Sequence, residues 1–153
     1  MFDTRTPAIE TIKDAIIDIL YEKHPRFTYS GGVDRYSEIR LSDPRAVRKK
    51  NDQPNTKINA KITGYNKDVW YYYDRDKLED WVNTFGVKSF VLRDYSYGEL
   101  CYVLRMLKIP EDQVDIFRAN RYMDQQRVRI TAKKSSIQFI GTVLVNVNVD
   151  LRL

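Results

Sequence analysis

Residues 57–63 read Lys-Ile-Asn-Ala-Lys-Ile-Thr, a pattern typical of a β-strand. Ile58, Ala60 and Ile62 alternate with polar residues, and alternate side chains point to opposite faces of a strand. A segment rich in turn formers follows at 64–68, and residues 69–73 read Val-Trp-Tyr-Tyr-Tyr. Because β-branched and aromatic residues favour strands, the pattern predicts a β-hairpin with a slightly long loop.

The C-terminal tail carries the clearest alternation in the chain. The odd-numbered residues from Val143 to Leu153 are all Val or Leu, and the even-numbered residues among them are polar apart from Leu144. Residues 127–132 alternate in the same way. The tail is therefore predicted to form two antiparallel strands that bury one face.

Helical spacing of apolar residues occurs in three other regions. Residues 6–23, which open with a Thr-Pro pair, are predicted to form the first helix. A second helix is expected to begin at Asp76 and to end at Gly86, as Gly favours a C-terminal cap. A third is expected between the capping Ser96 and Pro110, where one more short turn begins.

This order of elements predicts the α+β class. We expect an antiparallel sheet of about four strands, made of the hairpin and the two C-terminal strands, packed by three or four helices. Residues 1–153 are predicted to form a single domain, since the length is that of one ordinary domain and no internal repeat is present. The expected parts are an N-terminal helix at 6–23, a basic Pro-containing loop at 42–56, and a sheet and helix core at 57–153.

The cysteine content indicates a reducing environment. Cys101 is the one cysteine, so the chain cannot form an internal disulfide. The first residues lack the pattern of a signal peptide, and no run approaches the roughly 20 apolar residues that span a bilayer. We expect a protein that is made in a cytoplasm and has no membrane partner.

The net charge of +5 is concentrated in two segments. Residues 33–61 contain eight basic and four acidic residues, and residues 118–134 contain six basic residues and one acid. Such segments are either solvated or meet an acidic partner, which would be nucleic acid or an acidic protein face. The candidate nucleic-acid contacts of the second segment are Arg118, Arg121, Arg127, Arg129, Lys133 and Lys134.

A candidate protein interface combines three features. Acidic residues four positions apart line one edge of the first helix, which is either a solvated face or a docking edge for a basic segment. The loop at 42–56 supplies a basic cluster, and the second hairpin strand presents two aromatic residues on one face. The candidate residues are Glu10, Asp14, Asp18, Arg45, Arg48, Lys49, Lys50, Trp70 and Tyr72.

The residues give no pattern of a catalytic site. The one imidazole, His24, lies beside a Pro at the predicted end of the first helix, and Cys101 lies in an apolar helical stripe. One His and one Cys do not make a usual zinc ligand set. The acidic residues at 74–80 suit the start of a helix. We expect no enzyme activity, no cofactor, no metal and no small-molecule substrate. A carboxylate enzyme with its active site at residues 74–80 is the least favoured alternative.

Four segments together resemble a known family. Residues 58–78 read Ile-Asn-Ala-Lys-Ile-Thr-Gly-Tyr-Asn-Lys-Asp-Val-Trp-Tyr-Tyr-Tyr-Asp-Arg-Asp-Lys-Leu, and are followed by Tyr-Gly-Glu-Leu at 97–100, Ile-Pro-Glu-Asp-Gln-Val at 109–114 and Ala-Lys-Lys-Ser-Ser-Ile-Gln-Phe-Ile-Gly at 132–141. In order and spacing they resemble virion structural proteins of large ("jumbo") tailed bacteriophages. The chain departs from that pattern at 66–68, where Asn-Lys-Asp replaces small residues.

The resemblance implies a structural role. The expected function is particle assembly in a tailed-phage virion by protein–protein contacts, in the capsid, the neck or the tail. The expected partners are other virion proteins and further copies of the chain, and the expected location is the virion, after synthesis in the cytoplasm of the host bacterium. The alternative function is that of a small basic nucleic-acid-binding protein, and nucleic acid is a possible partner in either case.

The basic loop gives the first testable prediction. If Arg48, Lys49 and Lys50 pair with the acidic edge of the first helix of another copy, replacing all three with Glu turns attraction into repulsion and abolishes assembly. Light-scattering mass of the purified variant measures this outcome. Assembly at the wild-type level would remove the pairing hypothesis.

Overall fold

The computed structural model describes residues 2–23, 38–48, 53–64, 68–86, 89–119 and 126–150. The chain divides into two compact units, Met1–Arg75 and Asp76–Leu153, here called the N-terminal and the C-terminal unit. Each unit combines helix and strand, so the predicted α+β class is confirmed. The assignment of residues 1–153 to a single domain stays a prediction.

The described part of the N-terminal unit contains a helix and a three-stranded antiparallel sheet. Its elements are α1 (Ala8–Lys23), β1 (Ile39–Ala46), β2 (Thr56–Ile62) and β3 (Val69–Tyr73), and the strand order is β1-β2-β3. The predicted hairpin of β2 and β3 is confirmed, with Ile58 opposite Tyr71 and Ala60 opposite Val69.

Strand β1 corrects the predicted loop at 42–56. The strand continues to Ala46, although it contains Pro44. The pairing with β2 shifts between Ser42 and Arg45, and Asp43 in that bulge has a φ of 58°, a left-handed conformation that Asp tolerates. A bulge in a terminal strand needs no ladder hydrogen bond from the Pro, and this is why the sequence signal of a loop is wrong here.

Helix α1 confirms the predicted helix at 6–23 and refines its start. The Asp3 carboxylate accepts the backbone N–H groups of Arg5 and Thr6 at 2.8 and 2.9 Å, and this lowers the pKa of Asp3. These bonds close a turn that precedes the helix, whose first backbone hydrogen bonds run from the Glu10 and Thr11 N–H groups to the Pro7 carbonyl. The predicted apolar stripe is only partly buried, because Ile9 and Ile19 are 41% and 37% exposed.

The buried face of the N-terminal sheet alternates along β2. Ile58, Ala60 and Ile62 are at most 4% exposed, and Tyr73 of β3 is 2% exposed. The ring of Phe2 meets that of Tyr73 edge-on, with 6.0 Å between the centroids. Helix α1 lies against β3 around a cavity of about 310 Å³, which is lined by Ile16, Ile19, Leu20, Val69, Trp70, Tyr71 and Tyr72.

A hydrogen-bond network joins the residues before β2 to those after β3. The side-chain oxygen of Asn55 accepts the backbone N–H of Arg75 at 2.9 Å and the Thr56 hydroxyl at 2.6 Å, and its amide donates to the Arg75 carbonyl at 3.2 Å. The backbone N–H of Asn55 donates to Asp74 at 2.9 Å. The buried Arg75 guanidinium donates to Thr56 Oγ1 at 2.8 Å, and burial lowers the pKa of Arg75.

Among its described residues, the C-terminal unit contains two α-helices and two sheets. The elements are β4 (Asp76–Lys77), α2 (Leu78–Phe85), β5 (Ser89–Leu92), α3 (Tyr97–Met106), a 3-10 turn (Glu111–Gln113), β6 (Val114–Ala119), β7 (Arg127–Ala132), β8 (Phe139–Ile140) and β9 (Thr142–Val149). Strand β5 runs parallel to β9, β7 is antiparallel to both β9 and β6, and the order is β5-β9-β7-β6; β4 and β8 form a parallel pair.

The predicted sheet arrangement is therefore wrong. The hairpin of β2 and β3 belongs to the N-terminal sheet, while the two C-terminal strands, β7 and β9, pair with β5 and β6 instead. The short turn expected at Pro110 is confirmed at Glu111–Gln113, but sequence reasoning missed β6 directly after it and the four-residue strand β5. Adjacent apolar residues Ile116 and Phe117 obscure the alternation of β6, which pairs with the next strand, β7.

The helices of the C-terminal unit begin and end near the predicted residues. Gly86, with a φ of 65°, caps α2, and the Ser96 hydroxyl accepts the backbone N–H of Glu99 at the start of α3. The indole N–H of Trp81 donates to the Leu107 carbonyl at 2.8 Å, and its ring meets Phe139 edge-on at 5.2 Å. These contacts hold α2 and α3 over one face of the four-stranded sheet.

The Asn55 network gives a stability prediction. Asn55→Ala removes three side-chain hydrogen bonds and leaves buried partners unpaired, so the free energy of unfolding should fall by roughly 2–4 kcal/mol in denaturant unfolding. The control Asn83→Ala, at an exposed position of α2, should change it by less than about 0.5 kcal/mol. Equal effects of the two substitutions would show that the network contributes nothing to stability.

Candidate functional site

The residue types of catalysis and metal binding are dispersed. In the described ranges, no group of three or more His, Cys, Asp and Glu residues is placed to hold a metal ion. Cys101 is a buried free thiol, and His24 lies outside the described residues. Of the acidic residues at 74–80, Asp74 accepts the Asn55 N–H, whereas Glu79 and Asp80 are exposed in the first turn of α2. Over the same ranges, no helix is long and apolar enough to cross a membrane.

One surface with a distinct chemistry is the face of the N-terminal sheet opposite Ile58, here called the cationic face. Residues paired directly across an antiparallel sheet share a face, so the register defines its members. Arg40 lies opposite Lys61, Arg45 opposite Lys57, Asn59 opposite Trp70, and Lys57 also opposite Tyr72. The cationic face consists of Arg40, Ser42, Arg45, Lys57, Asn59, Lys61, Trp70 and Tyr72.

Trp70 organises the centre of the cationic face. The guanidinium carbon of Arg45 lies 5.5 Å from the Trp70 ring centroid, and the Lys57 ammonium lies 4.9 Å from it. Cations at this distance are attracted by the negative face of the ring. Asp43 also holds Arg45, with 2.7 Å between a carboxylate oxygen and the guanidinium, and its hydrogen bond raises the pKa of Arg45. Trp70 is half-buried, whereas Tyr72 remains 51% exposed.

The pairing of β1 with β2 places like charges opposite each other twice. Arg40 faces Lys61 and Arg45 faces Lys57, and like charges directly opposite on a sheet destabilise it. Asp43 is the acidic residue within the three strands, and Glu38 and Asp68 directly precede β1 and β3, so the four cations are balanced only in part. Arg40 and Lys61 are exposed, and both are available to a ligand.

The structure places the residues predicted for the interface on different elements. Arg45, Trp70 and Tyr72 come together on the cationic face. Arg48 is exposed just after β1, while Lys49 and Lys50 lie outside the described residues. The acidic residues are on α1, where Glu10 and Asp14 are half-buried and Asp18 is exposed. Contact between this acidic edge and the basic segment stays a prediction.

The second basic segment does not form a single surface. Arg127 and Arg129 share the face of the C-terminal sheet opposite its core, but Arg118 is on the core side, with its guanidinium carbon 4.2 Å from the Tyr95 ring centroid. Lys133 is half-buried and Lys134 is exposed in the turn after β7. Arg121 lies outside the described residues. Contact of these six residues with nucleic acid stays a prediction.

The outer face of the C-terminal sheet is a second exposed surface. A row crosses three strands, because Phe117 lies opposite Arg129 and Arg129 lies opposite Leu144. The Arg129 guanidinium carbon is 5.9 Å from the Phe117 ring centroid, and Phe117 and Leu144 are 45% and 46% exposed. Polar residues surround the row, among them Thr131 and Thr142, whose hydroxyls are 3.2 Å apart. This Phe117–Arg129–Leu144 row is called the apolar row below.

Sequence reasoning missed three of the four cations of the cationic face. The alternation at 57–63 already put Lys57 and Lys61 opposite Ile58, so the sequence contained the signal for these two residues. Arg40 joins them only through the register of β1 with β2, which a sequence pattern does not specify. The bulge at Ser42–Arg45 sets that register and was hidden by Pro44.

Comparisons with known proteins add no assignment. No protein-family model matches the chain, and neither a curated protein nor a solved structure matches it.

The like-charge pairs give a prediction about the unliganded protein. Lys61→Glu converts the pair with Arg40 into a cross-strand pair of opposite charges, so the free energy of unfolding should rise by about 0.2–1 kcal/mol at low salt. Lys61→Gln removes the repulsion without adding attraction and should fall between this variant and the wild type. Denaturant unfolding measures all three, and a loss of stability in Lys61→Glu would mean that the two cations do not repel.

Proposed function

We propose that the chain is a non-catalytic structural component of a tailed-phage virion, and that it acts in particle assembly through protein–protein contacts. The resemblance of residues 57–153 to virion structural proteins supports the proposed virion role. The observation that carries the assembly role is the apolar row, which exposes an aromatic, an Arg and an aliphatic side chain in contact range on a rigid sheet.

The composition of the apolar row suits a protein interface. Interface cores are enriched in aromatic residues and Arg and depleted in Lys, Glu and Asp. Phe117 and Leu144 would each remove exposed apolar surface from water on contact, and Arg129 would supply directed hydrogen bonds between them. The flanking Thr and Asn side chains would form the polar rim of the contact.

The outer face of the C-terminal sheet is smaller than a standard protein interface. Four strands about 4.8 Å apart, with eight residues in the longest, present roughly 500 Å², and a standard interface buries about 800 Å² on each partner. The contact should therefore extend beyond the sheet face. Strand β6 lies at the end of the strand order and offers backbone groups to a strand of the partner.

The assembly proposal predicts the behaviour of a double variant. Phe117→Ser with Leu144→Ser removes both apolar side chains of the row, and the loss of a hot spot worth about 2 kcal/mol weakens association by about 30-fold. Light-scattering mass over a range of protein concentrations, at low and at high salt, measures association. We expect a wild-type oligomer that persists at high salt and a variant that dissociates.

A matched control uses exposed apolar residues elsewhere in the same unit. Tyr102→Ser with Met106→Ser removes comparable apolar surface from α3, where these residues are 39% and 48% exposed. This variant should assemble as the wild type does. A monomeric wild type, or equal weakening by the two double variants, would contradict the proposed contact.

A further inference from the structure

We infer that the cationic face of the N-terminal sheet is a binding site for single-stranded nucleic acid. This site goes beyond the proposed assembly role, since it lies in the other unit and recognises a different class of partner. The combination that carries the inference is two cross-strand pairs of cations beside an exposed tyrosine ring.

Charge complementarity identifies an anionic ligand. Arg40 with Lys61, and Arg45 with Lys57, concentrate positive charge that Asp43, together with Glu38 and Asp68 just before β1 and β3, offsets only in part. Like charges opposite each other cost folding stability, although the Trp70 ring and Asp43 reduce this cost for Arg45 and Lys57. Bound phosphate groups would turn the remaining repulsion into attraction.

The spacing of the two cation pairs suits the sugar–phosphate backbone of a nucleic acid. Arg40 and Arg45 lie opposite Lys61 and Lys57, which are four positions apart on β2, or about 13 Å, and the three strands span about 10 Å across. The two cation pairs therefore lie at either end of a narrow surface. Such a surface follows an extended backbone over a few nucleotides, near the short end of the roughly 4–16 nucleotides that one binding module covers.

The aromatic residues favour single-stranded nucleic acid over an acidic protein. Tyr72 is opposite Lys57 in the strand pairing and is 51% exposed, so its ring is open to an unpaired base beside a phosphate-binding cation. Trp70 has a different role, because it holds Arg45 and Lys57 in place over the sheet. Bases stack on aromatic rings without regard to sequence, whereas an acidic peptide needs no such platform. Paired bases in a duplex would not reach the Tyr72 ring.

The test measures binding of a fluorescent oligothymidylate of about 12 nucleotides by anisotropy, from about 50 to about 200 mM salt. Contacts from three to four cations predict a slope of log K against log salt of about −2 to −3. The protein is used as the full chain.

One variant pair separates binding from folding. Arg40→Glu with Lys57→Glu leaves each new carboxylate opposite the remaining cation of its pair, and this attraction offsets the lost contact of Lys57 with Trp70. The melting temperature should therefore stay close to that of the wild type while affinity falls at least about tenfold. The control is Arg93→Glu with Arg105→Glu, which makes the same change in net charge at exposed positions of the C-terminal unit. The control should keep affinity within about threefold of the wild type.

A second variant pair tests the stacking role. Tyr72→Ala should weaken oligothymidylate binding about tenfold, and Tyr72→Phe should retain it, because the ring and not the hydroxyl stacks.

Three outcomes would overturn the inference. The two charge-reversal variants could lose affinity equally, Tyr72→Ala could bind as the wild type does, or polyglutamate or duplex DNA could bind as tightly as the oligothymidylate. The variant lacking Phe117 and Leu144 should still bind, so that this site and the assembly contact fail or succeed independently.

Discussion

The register of β2 between β1 and β3 is the constraint on which the N-terminal unit depends. A shift of one residue would exchange Ile58, Ala60 and Ile62 with Lys57, Asn59 and Lys61, burying cations and exposing the core. The Asn55 network holds one end of the strand, since it joins the residues before β2 to those after β3. The bulge in β1 then allows Arg45 to lie opposite Lys57. The same alternation that makes the core thereby gathers the cations and the exposed tyrosine on one surface.

The two open sheet faces differ in chemistry, and this difference separates the two proposed roles. The cationic face combines two like-charge pairs with a half-buried Trp70 and an exposed Tyr72, which suits an anionic partner. The apolar row combines Phe117, Arg129 and Leu144, which suits desolvation against another protein. The first should weaken steeply with salt and the second should not. A virion protein with both surfaces would contact nucleic acid through one unit and other proteins through the other.

Sequence periodicity and capping residues predicted individual helices and the hairpin, but they did not predict which distant strands pair. The helix at 6–23, the hairpin around 64–68, the cap at Ser96 and the end of a helix at Gly86 all follow from residues close together in the chain. The sheet arrangement was wrong because β5 pairs with the distant β9, and because the adjacent apolar residues Ile116 and Phe117 obscure the alternation of β6. For the candidate site, Trp70 and Tyr72 were predicted on one strand face, but the register that adds Arg40 follows from the bulge beside Pro44.

Chemical-shift mapping of the backbone amides, while oligothymidylate is added at low salt, tests whether the cationic face binds single-stranded nucleic acid. We predict shifts concentrated in the three strands of the N-terminal sheet, strongest around Arg40, Lys61 and Tyr72, and reversed by added salt. The amides of β7 and β9 should not change. Shifts that centre on the C-terminal sheet, or no shifts at all, would contradict binding at the cationic face, because the register of β2 would then have gathered its cations without a binding role.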